Sequence, residues 1–426
     1  MLDVKLIREK PEFAEKKLKE KDPEISLASF LKIDKRYLEI KRQREELKSK
    51  QNSLSKEIGE KKRKGEDAAP LMEEVASLKQ QVEKLEHEFK EVEKQHLWEL
   101  SLFPNIMADD VKVSQDPAEN VCLKTYGEKR KFSFRPKNHV ELNEKLGLFD
   151  FERGAKMSGS GWPVYKGLGA ALEWALLNYM IDVHRKNNYV QYMLPLLVRE
   201  EMMFGSAQLP KFRDQSFRLD DEDYPLFLIP TSEVSLNALH FDEILEEEKL
   251  PLKYFSFTPC FRREAGAAGT SERGLIRVHQ FNKVEMYCFC TPEQSAAIQE
   301  EMVASAEEIL QGLNLHYRNM LLVSGDASFA AAKTIDIEVY LPGQERYYEV
   351  SSISNCTDFQ ARRSKIRSKK KEEKPRYIHT LNGSGLATSR LMVALLENNQ
   401  REDGSVEIPT ALHKYLEKPI SVINPE

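Results

Sequence analysis

From Leu71 onward, apolar side chains fall at Leu71, Val75, Leu78, Val82, Leu85, Phe89 and Val92, in alternating steps of four and three. Steps that average 3.5 residues keep one stripe of a helix turned toward a partner helix, which is a heptad seam. Upstream, Ile33, Tyr37, Ile40, Leu47, Leu54 and Ile58 follow the same rhythm, with Arg44 and Gln51 at the two seam positions that break it. The runs are separated by Gly65-Glu-Asp-Ala-Ala-Pro70: a glycine suited to end one helix, then acidic residues and a proline suited to start the next. The pattern predicts an antiparallel two-helix coiled coil over about residues 31–97. Helices of roughly 26 to 34 residues, rising about 1.5 Å each, give an arm of about 40–50 Å. Such a rod has too little core to enclose an enzyme's cleft.

Past Phe103-Pro104-Asn105 the heptads stop. A polar stretch from Met107 to Glu119 reads as a linker, so the chain is expected to divide into an N-terminal domain (1–106) carrying the arm and a second domain (107–426). In the second, Leu168 to Arg185 has a helix pattern, and Asn187 to Val198 reads as a strand interrupted by Pro195. Short β-type runs recur around 225–230, 252–259, 275–290, 335–341 and 347–354 without regular βαβ alternation. The fold class is therefore α+β, an antiparallel sheet flanked by helices. Within it, Phe261-Arg-Arg-Glu264 and Leu275 to Glu285 read as two strands joined by a small-residue turn, Ala265 to Gly274. On strands, residues two apart share a face, so Arg262 pairs with Glu264, and Phe281, Lys283 and Glu285 go together. That hairpin has the groups to read an anion, a base and an amine.

With 426 residues and 41% hydrophobic content the chain can build more than one core. A net charge of −5 means that any polyanion must be met by local patches. Residues 41–64 supply one, with ten Lys or Arg against four Glu, a balance of +6. By itself this reads first as a solvated coiled-coil face, and second as a surface that neutralises phosphates. Residues 362–374 form another stretch of +6, readable as a nucleic-acid contact or as a surface loop. Five scattered cysteines (Cys122, Cys260, Cys288, Cys290, Cys356) argue against a disulfide framework and for a reducing compartment. Cys288 and Cys290 have no second ligand pair at zinc spacing and read as buried thiols. The first ten residues hold no apolar core of signal length, and no run of 18 apolar residues follows. A cytoplasmic protein that does not enter membranes is expected.

No G-x-x-x-x-G-K-[ST] loop occurs, which excludes P-loop chemistry, and Gly383-Ser-Gly385 lacks the third glycine of a dinucleotide fingerprint. Lys156 to Ser160 has a superficial likeness to the lysine loop of class I aminoacyl-tRNA synthetases, but the companion His-x-Gly-His is absent. The proline-bearing strand after Leu168, the hairpin with Arg262 and a glycine-led helix with Arg390 resemble instead the three motifs of class II synthetases. Gln208-Leu-Pro-Lys-Phe212, Pro230-Thr-Ser-Glu233, His279 to Glu285, Glu349 to Arg363 and His379 to Ala387, together with the arm, resemble the bacterial-type seryl-tRNA synthetase family over essentially the whole chain.

That resemblance implies attack of the serine carboxylate on the α-phosphate of ATP, then transfer of serine to the 3′-terminal ribose of tRNA(Ser), with tRNA(Sec) as a further acceptor. The nucleophile is already ionised, so alignment and charge stabilisation suffice. By resemblance, Arg262, Glu285 and Arg390 are catalytic. Arg262, Arg263, Glu264, Val278, Phe281, Glu349, Val350, Ser351, Ser352 and Arg390 bind ATP, with Phe281 stacked on adenine. Thr231, Ser232, Glu233, Glu285 and Ser384 bind L-serine, and Glu349 with Ser352 holds Mg2+. On a regular strand positions three apart face opposite sides, so a bulge or strand end is required between those two. Ser232 stands where the family usually has alanine, and Thr388-Ser389 where Val-Gly is usual. The family's arm contacts its tRNA across a homodimer, which makes Arg42, Lys48, Lys56, Lys61, Lys62 and Arg63 candidate tRNA contacts. A non-catalytic synthetase-like protein would be expected to lack Arg262, Glu285, Glu349 or Arg390, and a carrier ligase to lack the arm; all are present.

Overall fold

The computed structural model describes residues 1–265, 273–418 and 420–425. The chain forms two compact units, Leu2–Phe103 and Pro104–Glu426, with Met1 grouped in the second.

In the first unit the seam folds as two antiparallel helices, Ala28–Lys64 and Ala69–Ser101. Ile40, Leu78, Val82, Phe89 and Val92 are buried along it. Gly65 takes a left-handed backbone (φ 72°) and its N–H returns to the Lys61 and Lys62 carbonyls, while Pro70 sits in the first turn of the second helix. The helices are 37 and 33 residues long, about 50–55 Å at ~1.5 Å per residue. The first exceeds the expected length because Leu27 and Phe30 are fully buried and extend the packing before the first heptad position. Arg44 occupies its seam position by laying its guanidinium 3.9 Å from the Phe89 ring centre, so its charge rests on an aromatic face. Near the other end, buried Asp34 accepts from Arg8 (2.6 and 2.9 Å) and lies 2.7 Å from His96 Nε2. This tethers the short helix Val4–Glu9 to the arm's base.

The second unit is built on an eight-stranded sheet. In chain order its strands are β1 (Val121–Tyr126), β2 (Val190–Tyr192), β3 (Leu252–Phe261), β4 (Gln280–Cys290), β5 (Tyr317–Leu321), β6 (Lys333–Leu341), β7 (Arg346–Asn355) and β8 (His379–Ala387). Their spatial order is β1-β5-β6-β7-β8-β4-β3-β2, antiparallel throughout except for the β2 and β3 pair. Strand β4 shows why the site lies where it does. Val284, Met286, Cys288 and Cys290 feed the main core beneath the helices Leu168–Lys186, Ser295–Gly312 and Thr388–Asn398, while Tyr287 and Phe289 enter a second cluster. Alternation therefore puts Phe281, Lys283 and Glu285 on the face away from the helical core.

Four expectations change. The run Asn187 to Val198 is two short strands, because Pro195 removes a ladder donor: Val190–Tyr192 joins the main sheet and Leu197–Arg199 pairs with Leu226–Leu228. The run from 275 becomes a strand only at Gln280. The polar stretch after Asn105 is anchored rather than a free linker, since Met107 and Val111 are buried and the Asn105 amide donates to the carbonyls of Ala330 (3.0 Å) and Cys356 (2.9 Å). Gly383 and Gly385 lie in β8 and do not open a helix, which starts at Thr388. Their role is close approach: a Cβ on Gly385 would fall 2.1 Å from His184 Nε2. No described helix is long and apolar enough to cross a membrane.

Candidate active site

A cavity of about 680 Å³ opens against β4, β7 and β8, closed on its other sides by residues around 206–216, 230–233 and 328–330. Of the residues singled out in the sequence, Thr231, Glu233, Arg262, Glu264, Glu285, Glu349, Ser352 and Ser384 line it.

One part of the wall is a buried polar cluster. Glu285 on β4 sits opposite Ser384 on β8 in the strand register, and Lys283 is two residues before it on the same face. The Lys283 ammonium donates to Thr231 Oγ1 (2.7 Å) and pairs with Glu285 Oε2 (2.5 Å). Thr231 Oγ1 also accepts the Glu233 N–H at 3.2 Å. Glu233 Oε1 accepts from Gln360 (2.6 Å) and Asn382 (3.1 Å). Burial, and then the negative charge of Glu285, push the Glu233 carboxyl up to about 7, with Lys283 opposing. Lys283, Gln360 and Asn382 complete the cluster; each lies inside one of the motifs quoted above, but none was given a site role from the sequence. The signal available for Lys283 was its place two residues from Glu285. Gln360 and Asn382 are far away in sequence and needed the fold.

At the other part of the wall β3 ends at Phe261, so Arg262 and Glu264 do not share a strand face as expected. Glu264 instead has a left-handed backbone (φ 45°) that turns its side chain to the cavity, where it pairs with Arg277 at 3.3 Å. The Arg262 N–H donates to the His279 carbonyl, and the Arg262 guanidinium carbon lies 5.1 Å from the Phe281 ring centre. Arg390, in the first turn of Thr388–Asn398, donates to the Glu349 carbonyl (2.9 Å) and pairs with its carboxylate (3.3 Å).

The bulge required between Glu349 and Ser352 is present. Ser351 pairs with Ile337 and Glu349 with Glu338, leaving Val350 as the extra residue, so Glu349 and Ser352 both reach the cavity. Asp336, opposite Ser352 on β6, is a further carboxyl; burial and then the charge of Glu349 hold its pKa well above the usual range, and its Oδ1 has no hydrogen-bond partner among the described residues. Two carboxyls and a hydroxyl are an oxygen donor set that suits a hard cation such as Mg2+. An acid inside the alternating run Ile335 to Val339 was the sequence signal for Asp336.

Phe281 and Arg390 do not line the cavity themselves, and other candidates also sit off its wall. Ser232 is fully buried, its hydroxyl without a hydrogen-bond partner among the described residues, Val278 and Val350 are buried, and Ser351 donates to the Ser384 carbonyl (2.5 Å). The Arg263 N–H donates to the Gln215 carbonyl. Thr388 Oγ1 lies 2.5 Å from Glu173, consistent with a packing role. Cys288 and Cys290 are buried free thiols whose pKa values burial raises, that of Cys290 to about 12, and no cluster of three or more His, Cys, Asp or Glu placed to hold a metal occurs among the described residues.

The two basic stretches differ. On the arm, Lys48 is tied to Glu86 (2.5 Å) and Arg42 to Glu46 (3.6 Å), whereas Lys56, Lys61, Lys62 and Arg63 have no ion pair among the described residues. In 362–374 much of the charge is engaged: Arg363 is buried and brought down to about 9 by that burial, Arg362 pairs with Asp358 (2.8 Å), Arg367 with Asp242 (3.5 Å) and Lys370 with Glu247 (3.5 Å). The small-residue turn expected over residues 265–274 has its residues 266–272 outside the described residues.

Comparison with known proteins identifies both units. Residues 1–107 match the seryl-tRNA synthetase N-terminal domain, and residues 216–399 the tRNA synthetase class II core domain (G, H, P, S and T). The chain is 52% identical over 417 residues to the serine--tRNA ligase of Chlamydia abortus, covering 98% of each chain, and 53% identical over 416 residues to that of Chlamydia caviae, again covering 98% of each. Among solved structures it is similar to seryl-tRNA synthetase from Pyrococcus horikoshii complexed with ATP (TM-score 0.90, 37% identity, 100% of both chains). It is also similar to the cytoplasmic serine-tRNA ligase of Naegleria fowleri in complex with AMP (TM-score 0.86, 27% identity, 100% of this chain and 99% of that one). With class II geometry, the arm and full-length identity in agreement, the chain belongs to the seryl-tRNA synthetase family.

Proposed function

We propose that this protein is a serine--tRNA ligase that activates L-serine with ATP and transfers it to tRNA(Ser). The observation that carries the reading is one cavity with two chemistries: acid and hydroxyl groups (Thr231, Glu233, Glu285, Ser384) on one part, and Arg262 with the Glu349 and Ser352 pair on another. The first suits a ligand with an ammonium and a hydroxyl. The second suits a polyphosphate, to which guanidinium groups offer permanent charge and forked donors. Arg262 holds the α-phosphate and stabilises the charge that builds as the serine carboxylate attacks; Phe281, beside it, stacks on adenine. Arg390 takes the terminal phosphates once they compete with Glu349 for its guanidinium. Glu349 and Ser352, with Asp336 close by, would hold Mg2+, which supplies charge neutralisation to the phosphates.

The tip residues Lys56, Lys61, Lys62 and Arg63 are the tRNA contacts this reading favours, because no described partner within the arm neutralises them; the same contacts would serve tRNA(Sec). A homodimer through the segment 168–198 is supported by its exposed apolar side chains, Leu168, Trp174, Val190, Met193 and Leu197. No disulfide joins the five cysteines among the described residues, which suits a cytoplasmic setting. The test is charging: the purified chain with ATP, Mg2+, serine and a transcript of tRNA(Ser) should form a base-labile seryl ester. Replacing residues 41–91 by a short connector should abolish that ester while sparing serine activation; charging that survives the deletion would overturn the role of the arm.

A further inference from the structure

Lys283 is a buried ammonium whose two partners, Thr231 and Glu285, are both residues given above to serine. The Lys283 and Glu285 side chains are 6% and 2% exposed, so neither charge is screened by bulk water. An ammonium has donors and no acceptor. Thr231 Oγ1 therefore accepts from Lys283 as well as from the Glu233 N–H, which uses both of its acceptor positions. No described residue takes the Thr231 proton. The hydroxyl is left as a donor on the cavity wall.

The charges facing this cluster are Glu233 at the start of the helix Glu233–Ala238, Cys260 on β3, Arg262 and Glu264 beyond it, Arg277 ahead of β4, and Glu349 on β7. Of the cations, Lys283 is the one in direct contact with Glu285 among the described residues.

We propose that Lys283 is a positioning residue of the amino-acid subsite: its ammonium holds Glu285 by charge, leaving Glu285 Oε2 without a hydrogen-bond partner among the described residues, and turns Thr231 into an obligate donor, so the wall presents one donor and two acidic side chains. The inference rests on the serine reading and deepens it. A hydroxyl oxygen complements the Thr231 donor, while the hydroxyl proton and the ammonium complement the carboxylates. Alanine supplies no such oxygen and leaves the donor unpaired, which costs more than the size difference alone. Without Lys283, Glu233 and Glu285 lose the cation between them. Glu233, already pushed up to about 7, then binds a proton more readily, and the wall loses negative charge as pH falls.

The experiment measures KM for serine and for ATP separately, by serine-dependent pyrophosphate exchange, in Lys283→Met, Lys283→Arg and Thr231→Val. Lys283→Met should raise the serine KM roughly 10- to 100-fold, equivalent to about 1.4–2.8 kcal/mol. The ATP KM should hold, the effect should be larger at pH 6 than at pH 8, and discrimination against alanine should fall. Combining Lys283→Met with Thr231→Val should cost less than the product of the single effects, because both act through one hydroxyl. A serine KM that stays put at both pH values, a parallel rise in both KM values, or fully multiplicative effects would overturn the proposal. If Lys283→Met does not fold, Lys283→Arg carries the test: its donors are displaced, so the serine KM should rise and the ATP KM hold, and unchanged serine KM refutes it. Wild-type protein that shows no serine-dependent exchange would refute the serine reading itself, a separate result.

Discussion

Replacing Glu233 by Gln should make the protein more stable and less active, and the size of the gain should depend on pH. Glu233 is buried, 8% exposed as a residue, and its carboxyl pKa is pushed up from 4.5 to about 7, by burial first and by Glu285 second. A group whose folded pKa is raised holds its proton in the native state after the unfolded chain has released it. Its contribution is fully present below pH 4.5 and is lost as pH rises through about 7. About 2.5 pH units at ~1.36 kcal/mol each give a loss of about 3 kcal/mol by pH 8. Glutamine keeps an oxygen for Gln360 and Asn382 but cannot ionise. Glu233→Gln should therefore match wild type near pH 4.5 and exceed it by about 3 kcal/mol at pH 8, a rise of several degrees in the Tm of the second unit. Scanning calorimetry at the two pH values reads this, and serine-dependent exchange at pH 8 should fall in the same variant. A Tm gain that is equal at both pH values, or a loss at pH 8, would refute the reasoning that the site keeps a strained carboxylate for its ligand.

Arg262→Ala should lower the rate of serine activation by about 10²–10³-fold, the range for losing one preorganised donor to a charged transition state, with the fold intact by circular dichroism. Joint replacement of Lys56, Lys61, Lys62 and Arg63 by Ala should weaken tRNA binding and flatten its salt dependence by roughly one unit of slope for each phosphate no longer neutralised, leaving exchange untouched. Lys48→Ala should do much less, because Lys48 is already paired with Glu86. Gly385→Ala should destabilise the protein by about 1–3 kcal/mol or more through overlap with His184, and adding His184→Ala should recover part of that in a thermal melt. Glu349→Gln should raise the Mg2+ concentration needed for half-maximal exchange, since a carboxylate is exchanged for a neutral oxygen.

The arm was legible almost residue by residue because a heptad repeat encodes its partner: seam, turn and capping glycine all appear where the spacing puts them. Glu285 and Arg262 were legible because motifs carry them, and β4 keeps Lys283 and Glu285 on one face by simple alternation. What the sequence did not disclose comes from pairing across distant segments. The bulge at Val350 depends on register with β6, the cluster around Glu233 on Gln360 and Asn382 more than 120 residues away, and the left-handed turn at Glu264 on the strand ending at Phe261. Charge counts were the least informative signal. The two stretches of +6 look alike in sequence, yet one leaves Lys56, Lys61, Lys62 and Arg63 without ion pairs among the described residues and the other buries Arg363 among aromatic rings.

The central claim is that one cavity joins a serine reader to a polyphosphate reader. Amino-acid-dependent exchange of pyrophosphate into ATP, with Mg2+ present and serine, threonine and alanine compared in parallel, measures that directly. Strong exchange with serine and at most a trace with the other two is the result the geometry predicts. Equal exchange with alanine or threonine, or none with serine, would contradict it.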